Sequence, residues 1–182
     1  MGCDIHAFIE YRDKEDKREE AYWEAFSGEL SLGRNYYMFG YLTNGNVRYG
    51  GVNLKFGVDP KGLPKDPSYE VKNSSRLWIT EKGEGDNETT LEKAEKWNKS
   101  LGCKIHYDHW NDKSKPSYVD HPDLHSHSWL SFKEYKMILD AAIKNQKKYH
   151  EWVNIQYKVI YDLMKSLDKN GMEVRFTFWF DN

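Results

Sequence analysis

Two cysteines in 182 residues are too few for a disulfide framework. Cys3 and Cys103 are therefore expected as reduced thiols. No apolar run is long enough to cross a bilayer, which sets a membrane protein aside. The N-terminus has no apolar segment of the secretory kind. Gly2 is present, but His6 stands where a myristoylation signal needs Ser or Thr. Those absences lead us to expect a cytoplasmic protein. Neither charge sign dominates: the formal net charge is -2, so there is no basic field to attract duplex nucleic acid. Zinc-finger spacing, a P-loop, a dinucleotide fingerprint and a nucleophile elbow are all missing. So are repeats and low-complexity segments.

Aromatics are plentiful. They make up 15% of the residues, with Trp 7, Tyr 13 and Phe 8. Such a chain can build a bulky core, and the length suits a single domain over 1–182.

Alternation is clearest at the two ends. Ile5, Ala7, Ile9 and Tyr11 alternate with Asp4, His6, Phe8 and Glu10, which is a strand signal. Val174, Phe176, Phe178 and Phe180 alternate with Glu173, Arg175, Thr177 and Trp179 in the same way. We expect these two strands to pair. The charged run Arg12 to Glu20 reads as a solvated turn, and Ala21 to Phe26 as the return strand of a hairpin. Asn35 is an N-cap for a short helix from Tyr36. Residues 43–75 read as a long loop. A short strand at Leu77–Thr80 and a helix over Thr90–Leu101, stopped by Gly102, follow. Cys103–Trp110 is ambiguous, and Asp112–Asp123 reads as loop. Ser131 and Glu134 form a capping box, and helical periodicity then runs to about Leu167, with Lys144–Lys148 marking a break. The predicted fold is α+β: a mainly antiparallel sheet containing both terminal strands, with the C-terminal helices packed on one face.

Several polar constellations could carry chemistry. On a strand Asp4 and His6 share a face, and together they could hold a divalent metal or form a carboxylate–imidazole pair that orients a general base. The plainer alternative is a hydrogen bond that holds the hairpin. Asp-x-His also opens the metallophosphoesterase pattern, although no Gly-Asn-His-Glu segment follows. His125, Ser126, His127 and Ser128 precede the capped helix, where backbone N–H groups favour anions; of the two imidazoles we rank His125 first. Arg34, beside Asn35 and Tyr36, suits bidentate phosphate binding. The proline-stiffened loop Asp59 to Ser68 offers Lys61, Lys65, Asp66 and Ser68 and could serve as a lid, although a plain surface loop is the preferred reading. Antiparallel pairing of the ends would bring Asp181 close to Asp4. His106, His109 and His121 are read as ordinary histidines.

Met1-Gly2-Cys3-Asp4-Ile5-His6, Arg34-Asn35-Tyr36, Gly62-Leu63-Pro64, His125-Ser126 with Ser128-Trp129-Leu130, and Phe180-Asp181-Asn182 together resemble a family of small phage and prophage proteins whose chains begin Met-Gly-Cys-Asp-Ile-His. The likeness implies that Asp4, His6, Arg34, His125 and Asp181 belong to a shared pattern, and it implies no reaction. The stretch around Asp86–Lys115 has no place in it. A phage setting favours a protein that disables host nucleotide signals, by cutting or by sequestering them, in the host cytoplasm.

The preferred expectation is a small-nucleotide phosphodiesterase. Asp4, His6 and His125 would be catalytic. Arg34, Asn35, Tyr36, Lys61, Ser126 and Trp129 would bind the nucleotide or phosphate ligand. In its metal-dependent form the cofactor is Mn, Mg or Zn, held by Asp4, His6, His125 and Asp181. The alternatives are a nucleotide-binding protein without turnover, and a protein-interaction inhibitor of a host factor. Oligomeric state is left open.

Overall fold

The computed structural model describes residues 2–16, 22–47, 58–107 and 115–181. They form two compact units, one of residues 1–69 with 125–182 and one of residues 70–124.

The larger unit is built on a four-stranded antiparallel sheet. Its strands are β1 (Ile5–Asp13), β2 (Glu24–Ala25), β7 (His125–Ser131) and β8 (Met172–Phe180), in the order β2-β1-β8-β7. The first and last strands lie side by side at its centre, in register from Ile5↔Phe180 to Asp13↔Met172. The cause is the alternation seen in both segments. Pairing in this register puts Ile5, Ala7 and Ile9 on the same face as Phe180, Phe178 and Phe176, and one apolar layer results. Helices α1 (Tyr36–Leu42), α4 (Phe132–Asn145) and α5 (Ile155–Lys169) bury that layer. The expected architecture is therefore present, with both terminal strands in one sheet and the C-terminal helices on one face.

The helix ends follow their caps. Asn35 Oδ1 accepts from Met38 N at 3.0 Å. The capping box of α4 is complete, with Ser131 and Glu134 bonding reciprocally. The expected break after Asn145 separates α4 from α5.

The smaller unit carries a second sheet, in the order β4-β3-β6-β5, formed by β3 (Arg76–Ile79), β4 (Glu88–Thr89), β5 (Ile105–Tyr107) and β6 (Pro116–Asp120). Helix α3 (Leu91–Leu101) places Ala94 against Leu77 and Val119 in a small core. Gly102 takes the left-handed conformation at its C-cap, φ 75°. His106, read as ordinary, bonds Asp120 at 2.7 Å, and the imidazole helps hold that carboxyl below its usual range.

Four expectations change. Arg12 and Asp13 belong to β1, because their partners Glu173 and Met172 extend the ladder. Helix α2 (Tyr69–Ser75) ends the supposed loop of 43–75, of which residues 48–57 lie outside the described residues. Pro116–Asp120 is a strand, since it pairs with both β3 and β5. His125–Ser131 is an edge strand rather than a loop; from Ser128 to Ser131 its alternating side chains match the pleat of β8. His109 and residues 17–21 also lie outside the described residues. Neither Cys3 nor Cys103 forms a disulfide, as expected. No helix among the described residues is long and apolar enough to cross a membrane.

Candidate functional site

The apolar layer uses one face of the larger sheet. The other face carries His6, Phe8, Glu10 and Arg12 on β1, opposite Trp179, Thr177, Arg175 and Glu173 on β8. This face is also largely buried: Glu10 and Thr177 are 0% exposed and Arg175 is 4% exposed. Two groups of side chains form on it, one at each end of the strands.

At the chain-terminal end, Asp4, His6, Glu29, Arg34 and Asp181 meet. Arg34 grips Asp4 with two bonds, Nε to Oδ1 at 2.5 Å and the second fork nitrogen to Oδ2 at 2.8 Å. The Arg34 guanidinium holds the Asp4 carboxyl below its usual range. Asp4 N donates to Asp181 Oδ1 at 2.8 Å, and Asp181 N donates to Asp4 O at 3.2 Å. His6 Nδ1 lies 2.8 Å from Glu29 Oε1. Its Nε2 is 3.4 Å from Asp181 Oδ2, within ion-pair reach but outside hydrogen-bond geometry. The expected juxtaposition of Asp4, His6 and Asp181 is thus present. Its charges are spent on one another, and Arg34 has its fork closed by Asp4. Tyr36 and Asn35, next to Arg34, make structural contacts as well. Tyr36 OH accepts from Cys3 N at 3.1 Å. Asn35 Nδ2 donates to Trp152 O and to Asn154 Oδ1.

The hydrogen bond to Glu29 raises the His6 pKa above the usual imidazole value of 6.5; partial burial opposes this, and Asp181 adds to it. A raised folded-state pKa contributes stability that is full below 6.5 and fades as pH climbs through the raised value. The melting-temperature difference between the native chain and His6→Gln should therefore be largest below pH 6.5, while the carboxylates remain ionised, and shrink above it. A difference flat across that range would mean that the protonated imidazole does not carry the pairing.

His125 does not join this group. It sits opposite Phe180 and stacks on it with centroids 6.0 Å apart, so it lies on the helix-covered face. The reason is a bulge. Between His125↔Phe180 and Ser128↔Phe178, two residues of β7 face one of β8, and Ser126 takes a left-handed φ of 52°. The bulge re-aims the strand, so His127 stacks on Trp179 at 5.8 Å, on the face that also carries His6. Ser126 Oγ is occupied with His125 Nδ1 at 3.0 Å. Among the described residues, no group of three or more His, Cys, Asp or Glu is placed to hold a metal ion.

The second group lies at the other end of the same strands and encloses a cavity of about 580 Å³. Its walls include Arg12, Trp23, Lys61, Lys65, Asp66, Trp129, Glu173 and Arg175. Arg175 anchors it. Nε donates to Glu10 Oε2 at 2.7 Å, one fork nitrogen donates to Asp66 Oδ1 at 3.0 Å, and the other to Asp66 O at 2.8 Å. Glu10 also accepts from Ser68 N and from Thr177 Oγ1. Trp23 Nε1 donates to Asp66 Oδ2 at 3.0 Å, and the Arg175 guanidinium lies 3.7 Å from the Trp23 ring centroid. Across the cavity Lys61 Nζ sits 3.7 Å over Trp129 and bonds both oxygens of Glu134.

The loop of residues 59–68 is pinned at both ends. Lys61 N donates to Ser128 Oγ and Gly62 N to His127 O, and at the far end Ser68 N donates to Glu10. Gly62 adopts φ 76°, a conformation in which a side chain would be strained. Of the expected ligand contacts, Lys61 and Trp129 line this cavity. Arg12, Trp23, Glu173 and Arg175 were missed. For Arg12, Glu173 and Arg175 the signal was the polar half of each alternating strand, which marks a shared face without saying that anything covers it; Trp23 lies just before β2 and had no such signal.

Comparison of the chain with family models, with curated proteins and with solved structures found no match.

Proposed function

We propose that the larger unit binds a small anionic ligand with a planar ring, of the nucleotide class, in the cavity between Trp23 and Trp129, and that it binds without turnover. The observation that carries this reading is the convergence of Lys61, Lys65, Arg12 and Arg175 with a part-exposed indole, Trp129, on one concave space. Concave sites with a few polar groups and an aromatic wall are where small ligands bind. Indole faces stack bases whatever their sequence, and guanidinium and ammonium groups attract phosphate oxygens. The acid–base candidates Asp4, His6 and His125 are absent from the cavity wall, which favours holding the ligand over cutting it. The phage resemblance fits a protein that sequesters a host nucleotide.

Hydrolysis is the second reading. It draws on His6, which Glu29 and Asp181 favour in the protonated form that a general acid requires.

Binding of a panel of cyclic and linear nucleotides, followed by tryptophan fluorescence, tests the proposal. Trp129→Ala should weaken binding by about 1–3 kcal/mol, the worth of one stacked base. Ligand released by heat should be recovered intact. Recovery of cleaved product would transfer the assignment to the hydrolytic reading, and no binding across the panel would remove both.

A further inference from the structure

We infer that the cavity selects a nucleotide with one base and one net negative charge, the class of the cyclic nucleoside monophosphates, over polyphosphates. The inference rests on the binding reading above and narrows it.

It follows from how the wall charges are already spent. Four cations line the cavity: Arg12, Lys61, Lys65 and Arg175. Arg175 is committed to Glu10 and Asp66, at 2.7 and 3.0 Å. Arg12 Nε is 2.7 Å from Glu173, and another of its nitrogens is 3.6 Å from Asp66. Lys61 is 2.8 Å from Glu134. Among the described residues Lys65 alone of the four makes no ion pair. Asp66 and Glu173 also line the space as negative charges. The Arg175 guanidinium helps keep the Asp66 carboxyl below its usual range. A ligand therefore meets one uncommitted positive charge. A second or third phosphate would face carboxylates already holding the remaining cations, and like charges at such distances repel. A phosphodiester carries a single negative charge and matches Lys65.

The limit of one base follows from exposure. Trp23 is 7% exposed, and Arg12 and Arg175 lie 4.8 and 3.7 Å from its ring centroid. It forms a wall rather than an open stacking surface. Trp129 is part-exposed, with Lys61 over one face, and one face remains for one base.

The test compares three probes for each of the four common bases: the uncharged nucleoside, the 3′,5′-cyclic monophosphate and the 5′-triphosphate. Calorimetry on the whole chain at fixed ionic strength reads the affinities. The cyclic monophosphate of at least one base should bind tenfold or more tighter than its triphosphate and its nucleoside. Lys65→Gln should reduce cyclic monophosphate binding about tenfold, towards the nucleoside level, and leave nucleoside binding unchanged. Lys65 is exposed, so this variant should fold. A triphosphate that binds as well as or better than the cyclic form overturns this inference and leaves the nucleotide-binding reading standing. So does a Lys65→Gln variant that binds both probes like the native chain. Failure of all three probes with every base overturns the reading beneath it.

Discussion

Arg175→Ala is expected to cost the larger unit about 3–5 kcal/mol, because it strands a buried carboxylate. Glu10 is 0% exposed, and its oxygens accept from Arg175, Ser68 N and Thr177. Without the guanidinium two donors remain, but the charge has no partner. Asp66 loses the closer of its two ion pairs and the donor to its carbonyl, and keeps Arg12 at 3.6 Å. The loop that Asp66 and Ser68 anchor should loosen, and ligand binding should fall with it. The penalty comes from the unpaired charge rather than from intrinsic worth of the ion pair. The double variant Arg175→Met with Glu10→Gln should therefore be less destabilised than Arg175→Ala, since the amide can still accept from Ser68 N and Thr177. Urea unfolding of the two variants beside the native chain decides it. If the double variant were the weaker, the buried charge would not be the source of the loss.

Phe178→Ala is the second large effect, again about 3–5 kcal/mol, from lost transfer energy and from the space left behind. Phe178 is fully buried, stacks on Phe176 at 5.4 Å and meets Phe180 edge-on at 5.8 Å. Its neighbour across β1 is Ala7, also 0% exposed. A methyl group opposite has nothing to swing into the gap, so collapse is limited and the cost should sit towards the upper end. Phe178 lies on the face away from the cavity. The variant should therefore bind ligand normally in the folded fraction, whereas Arg175→Ala should not. A loss below about 1.5 kcal/mol, the range of tolerated core swaps, would contradict the packing described.

Those two residues mark the limit of what the sequence discloses. Phe178 is legible because alternation over nine residues names the apolar face, and the same pattern in Ile5–Tyr11 names its partner. Asn35, Ser131 with Glu134, and Gly102 announce helix ends through local chemistry, and each performs as its side chain suggests. Arg175 and Glu10 are different. They are 165 positions apart, and the alternation that places both off the core reads equally well as a solvated surface. Among the described residues, the loop of residues 59–68 and Trp23 cover that surface and turn the face into an interior. Three of the loop's anchors are the backbone N–H groups of Lys61, Gly62 and Ser68, which no side-chain pattern reports. The same limit explains His125 and His127. Strict alternation would put both on one face, and a single bulge at Ser126 separates them. Asp4, His6 and Asp181 were brought together as expected, but the closing of the Arg34 fork on Asp4 depends on where α1 begins, and that lies beyond local pattern.

The central pairing of β1 with β8 also constrains how the polypeptide assembles on the ribosome. A nascent chain that has reached residue 130 already contains every strand of the smaller sheet, yet the larger sheet still lacks the strand that joins β1 to β7. At about 5–20 residues per second, β1 waits seconds for its neighbour with its apolar face unmatched. Such non-local closure is slow, and the charged run that follows β1 would help keep the waiting segment from pairing with other chains.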